Sequence, residues 1–124
     1  MIQSTRLAAA LLMVAAALAP GASGAAQTGA TAAPDKALLE RGKAVYNEWC
    51  AACHDPGPRH PGTQALDALY RGKKPGALEQ RTDLVPTLTE TFVRRGVSVM
   101  PPFRKTEISD ADLAALAAYL APRP

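Results

Sequence analysis

Cysteines, aromatic residues and strand-like patterns are all scarce in this chain of 124 residues. It contains two cysteines and one tryptophan, and aromatic residues make up 5% of the total. Two cysteines allow at most one disulfide, so a framework of several disulfides is excluded. No segment alternates polar and apolar residues with the period of two that marks a half-buried strand, and no internal repeat is present. A β-sheet protein is therefore not expected.

The chain also lacks a strong net charge. Lysine and arginine number 14 against 11 acidic residues, for a formal charge of +3. That excess is too small to argue for a nucleic-acid partner. The basic residues are nevertheless clustered, at Arg71-Lys73-Lys74, Arg94-Arg95 and Arg104-Lys105. Such patches either steer a charged partner or are solvated surface, and both interpretations stay open.

No hydrophobic run is long enough for a transmembrane helix, which takes about 20 apolar residues. The apolar run Leu7–Ala19 follows a short basic segment and precedes small residues at 20–26, which is the pattern of a secretory signal peptide. An uncleaved membrane anchor is the alternative. The predicted boundaries are a signal peptide at 1–26, a flexible lead-in at 27–34 and one small domain at 35–124. We expect a periplasmic protein with no membrane span in the mature chain.

Helix-start and helix-stop residues predict short helices joined by loops rich in proline and glycine. The predicted spans are 35–49 with Asp35 as N-cap, 63–70, 87–96 with a capping box at Thr87 and Glu90, and 109–121 with Ser109 as N-cap. Residues 97–103 are expected to be extended, since two prolines there exclude helix. The predicted fold class is all-α, with three to four short helices. Helices this few leave the long loops in need of a central group to pack against.

The sequence Cys50-Ala51-Ala52-Cys53-His54 is the C-x-x-C-H pattern of c-type haem attachment. Two thiols three positions apart can each form a thioether with one vinyl-derived carbon on the porphyrin edge. His54 then falls under the iron and can coordinate it through an imidazole nitrogen. We therefore predict one covalently bound haem c, attached through Cys50 and Cys53, with His54 as an axial ligand.

Other uses of two cysteines fit less well. A thioredoxin-type redox pair is expected after a strand in a βαβ unit, whereas a helix precedes Cys50 here. A structural zinc site needs four ligands, and His60 is too close in sequence to His54 to complete a tetrahedron with them. A disulfide between Cys50 and Cys53 would close a tight loop of four residues. Haem attachment is the favoured interpretation.

Met100 is the candidate for the second axial ligand. It is the sole methionine after the predicted signal peptide and is followed by Pro101-Pro102, which keep the segment rigid and non-helical. A core methionine filling a gap is the alternative, and His60 is the rival ligand. Ligation by methionine and histidine raises a haem's reduction potential and fills both axial positions, so electron transfer is the expected role.

Further contacts of the haem can be proposed from neighbouring residues. The second ring nitrogen of His54 is expected to bond a backbone carbonyl, that of Pro56 or Pro58. Candidates for contact with the propionates are Tyr70, Arg71, Lys73 and Lys74.

Taken together, these motifs resemble class I cytochromes c. The resemblance is carried by Gly42, Tyr46, the C-x-x-C-H motif, Met100-Pro101 and the helix with Leu116, Tyr119 and Leu120. It implies an all-α fold around one haem, in which the first and last helices cross near the haem edge. Gly42 and Tyr46 would then lie against Leu116 and Tyr119.

A narrower resemblance concerns the partner. Segments 61–66, 78–84, 92–96 and 100–109 are similar to the cytochrome subunits of flavocytochromes of the p-cresol methylhydroxylase (4-cresol dehydrogenase, hydroxylating) type. The resemblance implies a partner subunit that carries FAD and oxidises a 4-alkylphenol. The cytochrome, which is not an enzyme on its own, would accept single electrons and pass them to a downstream redox protein. The alternative is a free periplasmic shuttle to another acceptor or an oxidase.

Overall fold

A computed structural model describes residues 35–122 of the chain, so the predicted signal peptide (1–26) and lead-in (27–34) lie outside the described residues. The elements are α1 Lys36–Trp49, α2 Ala51–His54, α3 Pro61–Tyr70, a 3-10 turn Leu78–Gln80, α4 Pro86–Arg95 and α5 Asp110–Leu120. The all-α prediction is confirmed, because this range contains five helices and no strand beyond an isolated bridge between Val97 and Met100. No helix within 35–122 has the length and apolar character that crossing a membrane takes.

Two helix starts follow the sequence prediction. The Asp35 carboxylate accepts a hydrogen bond from the Ala37 backbone N–H at 2.8 Å and so caps α1. At α5 the Ser109 hydroxyl accepts from the Asp112 N–H at 3.1 Å. In both places the capping side chain satisfies a backbone donor that the helix itself leaves unpaired.

The start of α4 differs from the prediction. The helix begins at Pro86, with Val85 at the N-cap and no side-chain cap, so the capping box predicted at Thr87 and Glu90 is wrong. Proline at the first helical position already has the right φ and needs no partner for a missing N–H. Pro61 opens α3 in the same way.

The one-turn helix α2 was not predicted. It follows α1 after a single residue, Cys50, whose carbonyl accepts from the His54 N–H at 2.9 Å. The chain bends at this residue instead of continuing α1, and the C-x-x-C-H motif becomes a separate helical turn.

Helices α1 and α5 cross at Gly42, as the resemblance to class I cytochromes c implies. A Cβ added at Gly42 would lie 2.6 Å from the Cβ of Tyr119 and against the backbone carbonyl of Ala115. The Tyr46 and Tyr119 rings meet beside this point, with centroids 6.0 Å apart. Tyr46 and Leu116 are fully buried at the same crossing. Only a residue without a side chain permits this approach of two helices.

The core extends from this crossing toward the C-x-x-C-H turn. Its buried residues are Val45, Tyr46, Cys50, Leu84, Val93, Ile108, Leu113, Leu116 and Leu120. Helix α4 packs against α5, and its Val93 is buried in this core. Cys50 therefore joins the start of the motif to the hydrophobic core.

Candidate functional site

The C-x-x-C-H residues occupy one face of a single helical turn. Cys50, Cys53 and His54 stand at positions i, i+3 and i+4, which share a face of an α-helix. Cys50 is buried, Cys53 is exposed and His54 is half-buried. Both thiols are free, so no disulfide joins them. Their helical spacing puts two thiols and an imidazole on the same side of the turn, as covalent haem attachment requires.

The pKa shifts of Cys50 and His54 argue against thiol redox chemistry at Cys50 and favour metal binding by His54. Burial, with a smaller contribution from neighbouring Cys53, raises the pKa of the Cys50 thiol to about 11. A reactive redox cysteine has the opposite property, a lowered pKa that yields thiolate at neutral pH. Burial also lowers the pKa of His54 and favours the neutral imidazole, which is the form that binds metals.

His54 Nδ1 is buried without a hydrogen-bond partner among residues 35–122. The predicted bond to the carbonyl of Pro56 or Pro58 is therefore wrong. The Pro58 carbonyl accepts instead from the Gln64 side-chain amide. Since a buried unsatisfied polar group is costly, a native structure keeps one only for a reason, such as a functional role of the side chain.

Met100 lies in a tight turn at the end of α4. The Val97 and Met100 backbones exchange two hydrogen bonds of 3.0 and 2.9 Å, so the predicted extended segment begins only after Met100. The turn is enforced by Gly96, which has φ +67° and would place an added Cβ 2.6 Å from the Met100 carbonyl oxygen. Ser98 also has a positive φ of 53°. Two left-handed residues turn the chain where the prolines alone predicted extension.

Cys50 and Met100 meet at the same hydrophobic cluster. Cys50 is one of its buried members, while Met100 and Phe103 are half-buried and pack against it. The structure thus brings the first cysteine of the motif and the candidate thioether ligand to one apolar region. A free pair of thiols, a half-buried imidazole and a half-buried thioether fit a haem c in chemical type.

The candidates for propionate contact are partly engaged elsewhere. The Tyr70 hydroxyl accepts from Arg81 Nη1 at 3.0 Å, and Lys74 Nζ lies 2.6 Å from Asp83 Oδ2. Arg71 and Lys73 are exposed.

Arg81, at the centre of this group, was missed by the sequence analysis. Its side chain is only 4% exposed, and it lies over the Tyr70 ring, 4.8 Å from the centroid. Its hydrogen bonds, with a contribution from Lys74, hold the pKa of Asp83 well below its usual range. Arginines are seldom buried, so nothing in the sequence singled it out.

Two of the basic clusters are also partly neutralised. Arg94 donates to Asp110 at 2.9 Å, and Lys105 lies 2.6 Å from the same carboxylate. Arg104 pairs with Glu107. The arrangement favours the solvated-surface interpretation for these side chains over a strongly positive docking patch.

Sequence reasoning also missed Gly62, while His60, the disfavoured rival ligand, uses one ring nitrogen to bond the motif itself. His60 Nδ1 lies 3.0 Å from the Ala51 carbonyl oxygen, to which it donates. A Cβ added at Gly62 would lie 2.6 Å from Cε1 of His54. The sequence signal for these two residues was Pro61, because a proline marks a helix start. Helix α3 begins there, and its start lies next to the C-x-x-C-H turn, with His60 just before and Gly62 just after the proline.

Known proteins agree with the cytochrome interpretation of this geometry. The chain is 35% identical over 92 residues to the CcoP subunit of the cbb3-type cytochrome c oxidase of Azospirillum brasilense; the match spans 69% of this chain and 28% of that protein. The chain thus covers only about a quarter of its relative's length. No solved structure matches the chain. The profile of the family described as cytochrome c oxidase, cbb3-type, subunit III matches residues 37–120, from α1 to the end of α5. With the C-x-x-C-H turn inside that span, the chain belongs to this cytochrome c family and is an electron-transfer cytochrome of the haem c type.

Proposed function

We propose that this chain is a periplasmic one-electron carrier in which Cys50 and Cys53 hold one haem c and His54 and Met100 ligate its iron. The proposal is supported most directly by the α2 turn, which places both thiols and the imidazole on one helical face. When bound, haem c supplies a one-electron iron couple.

The chain's own residues would hold and tune that group. Cys50 anchors the attachment site in the core, whereas Cys53 faces solvent and leaves one side of the site open to a redox partner. The neutral His54 imidazole and the Met100 thioether would occupy both axial positions, which disfavours binding of substrate or O₂. Gly96 and the Val97–Met100 turn hold the methionine in place.

The test of this proposal is the chemistry of the two cysteines. We expect protein matured in a host with c-type cytochrome assembly to show Soret absorption that survives extraction of non-covalent haem. Neither cysteine should react with a thiol reagent after reduction, because both sulfurs are thioethers. Folded, colourless protein with two reactive thiols would contradict the proposal and favour a thiol–disulfide protein. A Cys50→Ala variant is the control: it should lose most holoprotein.

For the electron partner, we propose a respiratory oxidase chain, with this domain as a carrier to it. The support is the family match and the similarity to an oxidase subunit. A second candidate is the FAD-containing 4-alkylphenol dehydrogenase that the narrower resemblance implies. Segment 92–96 of that resemblance carries one exposed apolar side chain that a protein partner could cover, Phe92 at 40% exposure.

Purification from the native host separates the two partners. For the carrier, we expect a cytochrome that elutes at the size of one chain and, once reduced, is reoxidised by membranes containing a cbb3-type oxidase. The physical reason is that a transient carrier must dissociate between turnovers. Co-elution with a yellow flavoprotein, and haem reduction by 4-alkylphenols in that fraction, would contradict the carrier and support the flavocytochrome.

A further inference from the structure

The first turn of α3 touches the C-x-x-C-H turn along its whole length. We infer that His60, Gly62 and Thr63 form a brace that sets the position of the His54 imidazole and thereby tunes the haem. This inference rests on the proposed function, since only a ligating His54 gives the brace a redox role. The three residues are positioning residues, because none of them would touch the iron.

His60 holds the segment between the two cysteines. Its Nδ1–H points at the carbonyl oxygens of Ala51 and Ala52, at 3.0 and 3.2 Å. These are the two residues that separate Cys50 from Cys53. The Ala51 carbonyl also accepts from the Asp55 N–H at 3.0 Å, whereas the matching position for Ala52 is Pro56, which has no N–H to donate. The His60 donor therefore fixes the turn from outside the helix.

Gly62 fixes the imidazole itself. An added Cβ would lie 2.6 Å from Cε1 and 2.9 Å from Nδ1 of His54, and 2.8 Å from the Cys53 carbonyl oxygen. Such distances are too short for real carbon atoms, so the ring packs directly on the Gly62 backbone. Since the Cys53 carbonyl oxygen is similarly close, a side chain at position 62 would have to displace the α2 backbone as well as the ring.

Thr63 secures the residue that follows the ligand. It is 3% exposed, and its hydroxyl donates to the Asp55 carbonyl oxygen at 2.9 Å. The Asp55 carboxylate in turn accepts from the Tyr46 hydroxyl at 2.9 Å, and Tyr46 is fully buried at the α1–α5 crossing. Asp55 is therefore held from α3 on one side and from the core on the other.

Together these contacts hold the residues before, at and after the ligand. The orientation of a ligating imidazole is set by the groups around it, and it influences the electronic state of the metal. We therefore expect changes in the brace to alter haem properties while the thioether attachment is kept.

The experiment compares variants of His60 in the holoprotein. His60→Ala removes the donor, whereas His60→Asn keeps an amide N–H near the place of Nδ1. The exposed neighbour Arg59→Ala is the matched control. The readouts are the reduction potential, the pattern of haem-methyl resonances in the NMR spectrum of the ferric form, which reports the imidazole plane, and the thermal unfolding midpoint.

We expect His60→Ala to shift the potential and change the haem-methyl pattern, His60→Asn to restore most of both, and Arg59→Ala to leave both unchanged. Gly62→Ala should change the haem-methyl pattern more strongly or reduce the yield of holoprotein. If too little Gly62→Ala holoprotein forms for measurement, the comparison of His60→Ala with His60→Asn tests the brace. A His60→Ala protein with lower thermal stability but wild-type potential and methyl pattern would overturn the brace and leave a structural role alone. A wild-type protein without covalent haem would instead contradict the proposed function, and the redox role of the brace would be contradicted as well.

Discussion

Met100→Ala should keep the haem attached and lower its reduction potential. Thioether ligation favours the reduced iron, and axial ligands move haem potentials over a range of about 0.8 V, so a fall on the order of 0.1 V or more is expected. The thioether-to-iron charge-transfer absorption of the ferric protein should disappear, and the open position should bind small ligands such as imidazole. Voltammetry and absorption spectroscopy of the purified holoprotein measure these changes.

The matched control for this experiment is Val99→Ala. Val99 is the residue before Met100 in the same turn, but its side chain is 89% exposed and lies outside the core cluster. Its potential and spectrum should stay at the wild-type values, which separates loss of the ligand from disturbance of the turn. A Met100→Ala protein with the wild-type spectrum and potential would exclude Met100 as ligand.

Gly42→Val should destabilise the domain by about 3 kcal/mol, at the upper end of the usual cost of overpacking a core. The added side chain meets the backbone carbonyl of Ala115, which cannot turn aside as a flexible side chain could. Helices α1 and α5 would have to separate, which loosens the packing of Tyr46 against Tyr119. Chemical denaturation followed by circular dichroism gives the change in the free energy of unfolding.

Ala44→Val on the same helix provides the control. Ala44 is exposed, so only helix propensity changes there, at a cost of about 0.5 kcal/mol. Propensity alone would make Gly42→Val mildly stabilising, because glycine is the poorer helix former. A Gly42→Val protein as stable as wild type would therefore contradict the close helix crossing.

Much of the fold followed from local signals. Asp35 and Ser109 cap α1 and α5 at the positions predicted from the sequence, and Gly96 ends α4 as predicted. These positions could be predicted because a cap or a left-handed glycine acts within one turn of chain. The prediction of a capping box at Thr87 was wrong for a related reason. Pro86 is also a local helix-start signal, and α4 begins there instead.

The environment of the candidate site was far less predictable. Arg81 and Gly62 carry no pattern of their own, and their roles arise from residues that the fold brings beside them. The expected carbonyl partner of His54 Nδ1 also failed, because the loop after α2 directs the Pro58 carbonyl to Gln64 instead. Contacts of this kind depend on the path of an irregular loop, which hydrophobic periodicity does not constrain.

By itself, the sequence determined the spacing of the two thiols and the imidazole and the order of the four longer helices. Two thiols and an imidazole at fixed spacing, and the residues that start and stop each helix, act over a few positions and need no tertiary contact. The tertiary structure decided the rest. Helix α5 packs closely on α1 at Gly42, Met100 packs against the hydrophobic cluster that contains Cys50, and the start of α3 packs against His54. The physical reason is that close packing selects among loop paths by the fit of surfaces distant in sequence.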